Sequence, residues 1–143
     1  MRPRALAFLL VAPALVAGCG RNKAAQCEAL LKEIDVRMER ITSSERVHDD
    51  ASEAAHVAML EDARKAIEGV AVKDAKLRKL QAEYVEALDA YTEALKLFYP
   101  SKAALQSHLP NESGDAHRIV DGVLKENHLA AAGDAIYDHC TRR

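Results

Sequence analysis

Three cysteines, Cys19, Cys27 and Cys140, and six histidines hold most of the chemical potential of this 143-residue chain. Cys and His are the side chains that ligate zinc and copper, hold haem iron and form nucleophile–base pairs. Their spacing narrows those options. His117, His128 and His139 stand eleven apart, which returns them to nearly one helix face but separates successive rings by about 16 Å along the axis. No two of them can share one ion, and the row falls opposite the apolar line Leu129–Ile136–Cys140, so it reads as a solvated face. His139 and Cys140 are sequence neighbours; on a helix they diverge by about 100° and do not make a nucleophile–base pair. The chain has no Cys-x-x-Cys, Cys-x-x-Cys-His, His-Glu-x-x-His or Gly-rich phosphate loop, so no residue is expected to be catalytic, metal-binding or cofactor-binding on motif grounds.

His56 differs, because it falls on an apolar seam. A partly buried, hydrogen-bonded histidine near a bundle end is the plain reading; a haem ligand paired with Met38 or another histidine is the sharper one. Val72-Lys73-Asp74-Ala75 and Ala135-Ile136-Tyr137-Asp138-His139 loosely resemble segments of soluble b-type four-helix cytochromes. That resemblance fails at the ligands, since no Met occupies the first turns of the first helix and His139 is expected to face outward.

The beginning of the chain is more informative. Arg2 and Arg4 precede an apolar run from Ala5 to Val16 that only Pro13 interrupts. The run is shorter than the roughly 20 residues of a membrane-spanning helix and has the flanks of an export signal. It ends in Val16-Ala17-Gly18-Cys19, an aliphatic residue and two small ones before a cysteine. This resembles the lipobox of bacterial lipoprotein precursors. The resemblance implies that residues 1–18 are a cleaved signal peptide and that Cys19 carries a diacylglyceryl group, with the new N-terminus usually acylated too. Two or three acyl chains anchor firmly where one holds only marginally. Gly20 stands where an Asp would resemble an inner-membrane retention signal, which favours the outer membrane, on its periplasmic or surface face.

Residues 19–23 then read as a short lipidated tether and 24–143 as one helical bundle domain. Without the leader, 18 basic and 22 acidic residues remain, a formal charge of −4. With no basic stripe to neutralise phosphates, nucleic acid is not the expected partner. The expected partners are the membrane, through Cys19, and another protein of the cell envelope.

Alanine and charged residues dominate the domain and it lacks Trp, which points to an all-α fold. Cys27, Leu30, Leu31, Ile34, Met38 and Ile41 recur at helical spacing, giving a first helix from about residue 22 or 23 to between 41 and 47. His48-Asp49-Asp50 reads as a turn, and Asp50 with Glu53 as a capping box. A second helix over about 51–68 presents His56, Leu60, Ala63, Ile67 and Val70. Gly69 is expected to end it in the left-handed conformation, and Asp74 to cap a third helix. There Leu77, Tyr84, Tyr91 and Phe98 stand seven apart, the repeat of left-handed bundle packing. Carboxylates such as Glu83, Glu86, Asp89 and Glu93, interleaved with lysines, read as its solvated face. Pro100 is expected to kink or break this helix. A loop around Pro110 leads to a last helix over about 115–140, with a core face of Ile119, Val123, Leu129, Ala130, Gly133, Ile136, Tyr137 and Cys140. The predicted architecture is an up-down antiparallel four-helix bundle.

Once lipid occupies Cys19, Cys27 and Cys140 remain, and an exported even pair usually joins. An even number of antiparallel helices brings the start of the first beside the end of the last, so the pairing and the four-helix count support each other. The resulting expectation is a lipid-anchored bundle that works through protein contact, as a scaffold, adaptor or accessory component. The alternative is a ligand-binding module holding haem, a metal or an apolar molecule near His56, Tyr84 and Tyr91.

Overall fold

A computed structural model describes the backbone of residues 18–44, 50–107 and 114–142, with side chains over 22–43, 53–97 and 120–142. The leader up to residue 17 and the turns around His48 and Pro110 lie outside the described residues. The described chain forms four helices and no strand: α1 Gly18–Ser44, α2 Asp50–Glu68, α3 Ala75–Ser107 and α4 Gly114–Thr141.

Pairs of residues that meet across the seams give the topology. Arg37 on α1 reaches Asp62 on α2 at 2.8 Å, while Gln26, earlier on α1, binds the backbone of Asp74 beyond the end of α2. Lys96 reaches Glu61 at 2.8 Å and Arg64 reaches Asp89 at 2.7 Å, so α2 and α3 also run in opposite directions. Gly133 sits against Tyr84 and His139 against Asp74, which makes α4 antiparallel to α3. The bundle is therefore up-down-up-down. Asp89 and Glu93, expected as part of a solvated face, take part in this pairing: Asp89 binds Arg64, and Glu93 joins Glu61 on Lys96. These pairs are exposed and each contributes little to stability.

The seams follow the apolar periodicity. Cys27, Leu30, Ile34 and Ile41 of α1, Leu60, Ala63 and Ile67 of α2, and Leu77, Tyr84, Ala87 and Leu88 of α3 are buried. Leu31, Met38, Val70, Tyr91 and Leu95 pack at the margin of that core. Burial also holds the Tyr84 phenol in its neutral form, with its pKa pushed up to about 12 by desolvation and, secondarily, by the charge of Asp35.

Three expectations are corrected, and one of the two forms expected at Pro100 is removed. First, α1 begins at Gly18, four or five residues before the start predicted at 22 or 23, so residues 19–23 are helical. No proline interrupts them, and the Gln26 side chain bonds back to Asn22 across one turn. Second, of the two forms expected at Pro100, the helix is not broken: α3 continues as one element to Ser107. Third, no glycine among the described residues has positive φ, so Gly69 does not end α2 in the left-handed conformation. Its N–H still bonds Lys65 O at 3.0 Å, and Val70 N–H then tightens to Ile67 O at 3.2 Å. Fourth, the core face of α4 is narrower than predicted. Leu129 and Ile136 are buried with Ala132, Gly133 and Cys140 half-buried beside them, but Val123, Ala130 and Tyr137 are exposed. Residues 130 and 137 follow 129 and 136 and point about 100° away from them. A helix that packs chiefly on one neighbour cannot bury both lines, and α4 packs mainly on α3.

Gly133 lets α3 and α4 approach: a Cβ there would stand 3.4 Å from Cε2 of Tyr84, ordinary contact with no room beyond it. Gly133→Ala should therefore be neutral or stabilising by up to about 1 kcal/mol, the helix-propensity gain. Gly133→Val, which adds branches against the ring, should cost about 1–3 kcal/mol. Urea unfolding of the two variants checks this, and equal stability for both would contradict the close approach.

Candidate functional site

The groups with chemical potential gather where α1 starts, α4 finishes and the α2–α3 connection turns. Cys27 and Cys140 stand at disulfide-bonding distance there, with α-carbons 5.6 Å apart and 113 positions between them in sequence. Cys19 lies two helical turns before Cys27 on the same helix; its side chain is outside the described residues.

Beside the disulfide, Gln26 is buried and its amide is fully employed. Its Nε2 donates to the carbonyl oxygen and Oδ1 of Asn22 at 2.9 and 2.7 Å. Its Oε1 accepts from the backbone N–H groups of Lys73 and Asp74, the latter at 3.0 Å. A second buried glutamine works on the other side of the turn. Gln81 Nε2 donates to the carbonyl oxygens of Ile67 and Val70 at 2.7 and 2.9 Å, satisfying the end of α2 from the next helix. Asp74 accepts from Leu77 N–H at 2.7 Å, the N-cap contact that was expected. The same Oδ1 meets Nε2 of His139 at 3.3 Å.

That contact corrects the reading of the histidine row. His139 is only 12 % exposed and belongs to the closed end of the bundle, because the N-terminus of α3 lies beside the last turn of α4. His128 is exposed, as expected, and the His117 side chain is outside the described residues. The N–H of Leu77, with His139 as a smaller contribution, holds the Asp74 carboxyl below the ordinary carboxylate range. It is an ionised acceptor at neutral pH and not a proton donor. Asp, His and Cys thus lie close together in Asp74, His139 and Cys140, but the sulfur of Cys140 is engaged with Cys27, so the set offers no thiolate nucleophile.

His56 is buried on the core side of α2, 6 % exposed. Its Nε2 is enclosed without a hydrogen bond, while the residue engages a neighbour in another way. Glu53 precedes it by three, the Glu-x-x-His spacing of di-metal carboxylate bundles. Among the described residues no three His, Cys, Asp or Glu side chains converge as metal ligands. Three surface grooves, of about 220, 350 and 450 Å³, are lined by charged residues of α1, α2 and α3 with a few apolar ones such as Ile41, Met59 and Val85; none of the three reaches His56, Met38, Tyr84 or Tyr91.

The closed end is thus a structural junction in which Gln81 satisfies carbonyl oxygens at the end of α2, Asp74 caps α3, and the sulfur pair ties α1 to α4. Gln26, Gln81 and His139 are its unforeseen members. Only the burial pattern could have flagged the glutamines, each of which interrupts an apolar stripe.

Because the folded-state pKa of Asp74 is lowered, its contribution is fully present above the ordinary carboxylate pKa near 4 and disappears as pH falls through the lowered value. Asp74→Ala should lower Tm at neutral pH by about 4 °C through the lost cap, and the gap to wild type should close in acid. Thermal melts across that range check it; a gap that persists at the acid end would contradict the role. No family model, curated protein or solved structure matches this chain.

Proposed function

We propose that the chain is a lipid-anchored protein of a bacterial envelope whose helical bundle acts through contact with another protein. The observation that carries this reading is the leader: two arginines, an apolar run from Ala5 to Val16 and the tetrapeptide Val16-Ala17-Gly18-Cys19. Acylation of Cys19 fixes the bundle by the end where α1 starts. Gly20, in place of Asp, favours the outer membrane. No helix among the described residues is long and apolar enough to cross a membrane, so in this reading the acyl chains carry the attachment.

The contact role draws support from the outer face of α4. Val120, Val123 and Leu124 are 56, 52 and 60 % exposed, three apolar side chains within two turns. The closed end holds its buried polar groups in structural bonds, which fits a body that is recognised by shape and surface.

Intact-mass analysis of the chain isolated from its bacterial host tests the anchor. The expected N-terminus is Cys19 bearing a diacylglyceryl thioether, with a Cys19→Ala variant unprocessed and unacylated. An N-terminus elsewhere, or a Cys19 without acyl groups, would overturn the reading. The contact arm is tested by crosslinking in the same cells: Leu124→Asp should abolish a crosslinked product without lowering Tm, and an unchanged product would remove this face from the proposal.

A further inference from the structure

The charges of the domain are sorted along the bundle axis. The closed end comprises residues 18–27, 69–82 and 134–142, brought together by the Cys27–Cys140 pair, the Gln26 clamp and the Asp74–His139 contact. With Glu28 and Glu68, which flank them at the same end, these segments hold seven Lys and Arg against five Asp and Glu, whereas the remainder of 19–143 holds eleven against seventeen. Asp74 is engaged by Leu77 N–H and His139, while Asp138 pairs with Arg142 at 2.7 Å and Glu83 with Lys79 at 3.6 Å, so among the described residues the unpaired cations of this end are those of the α2–α3 turn and the start of α1. Lys73 and Lys76, at the tip of the α2–α3 turn, are exposed. Arg78 bends back onto the carbonyl oxygen of Lys73 at 3.1 Å, which adds its charge to the same tip. A chain that is acidic overall therefore carries a cationic cap on one end and an acidic body behind it.

We propose that this cap docks on an anionic lipid surface and so sets the bundle upright on the membrane that holds it. Placement of the acyl chains at the same end rests on the lipid-anchor reading above; the charge sorting does not. Lys and Arg within a Debye length of an anionic leaflet are each drawn to it by roughly fivefold in occupancy. The acidic body is repelled by the same field. Attraction at one end and repelled charge behind it make a torque that acyl chains, which leave orientation loose, do not supply. The face of α4 around Val123 is then held away from the lipid.

The test uses the chain processed in its host, purified and incorporated into vesicles of phosphatidylcholine alone or mixed with phosphatidylglycerol. A water-soluble amine reagent followed by peptide mass spectrometry reads Lys73 and Lys76 against Lys125. In the anionic vesicles Lys73 and Lys76 should label at least about threefold more slowly, with Lys125 unchanged and the difference lost at high salt. The double variant Lys73→Glu, Lys76→Glu should release the remaining end-face label at Lys23. Equal labelling in both vesicles overturns the proposal, and so does protection in both, which would be apposition by the anchor alone. If anionic vesicles protect all lysines alike, the bundle lies flat and the upright docking is wrong. Should the N-terminal mass show no acyl group, co-sedimentation with anionic but not neutral vesicles still upholds the cap, and its failure overturns it.

Discussion

The rest of the bundle depends on how the seam between α1 and α4 is closed. Helices joined in sequence pack against each other, α1 on α2, α2 on α3 and α3 on α4, whereas α1 and α4 touch sparingly. Left to packing, the chain would be a ladder of three seams with one open side. Cys27 and Cys140 bridge that side, tying positions 113 apart, a closure worth roughly 4–5 kcal/mol on the chain-entropy model as an upper figure. The residues next to the two cysteines extend the closure. Gln26 binds the α2–α3 turn, Asp74 in that turn caps α3, and His139 returns to Asp74 from α4. Four chain segments are thereby fixed to one another within a few ångströms.

This concentration of bonds at one end has a counterpart in the other half of α4. Packing mainly on one neighbour, α4 buries a single line of side chains and leaves Val120, Val123 and Leu124 outward. One end of the domain thus holds the staple, the polar clamps and the excess of cations, and the apolar surface of α4 lies away from it. In the proposed setting that division separates attachment from recognition. The end next to Cys19 is rigid and basic, suited to a charged surface, while the distal face of α4 is available for a partner.

Much of the fold was legible because helical periodicity reports burial directly. The stripe from Cys27 to Ile41, the seam from His56 to Ile67 and the heptads through Leu77 and Tyr84 are buried as their spacing predicts. The cysteine pair was legible once the helix count was even. The unread features have two physical causes. Side chains acting over a distance leave no local signal: the end of α2 is satisfied by Gln81, fourteen residues beyond Ile67, so Gly69 looked like the cap when it is not. And the width of an apolar stripe depends on how many neighbours a helix has. Leu129 and Ala130, or Ile136 and Tyr137, are equally apolar in sequence, and only the packing of α4 on α3 decides which of each pair is inside. His139 departs in the opposite sense: Asp74, at the start of α3, covers a side of the last turn of α4 that the helical spacing marks as solvated.

Hydrogen exchange of the oxidised and the reduced chain, followed residue by residue, addresses the closure most directly. If Cys27–Cys140 holds the sparse seam, reduction should raise exchange first and most in the opening turns of α1 and the last turns of α4. The α2–α3 hairpin should keep most of its protection. Uniform loss of protection across all four helices, or none at either terminus, would contradict the account.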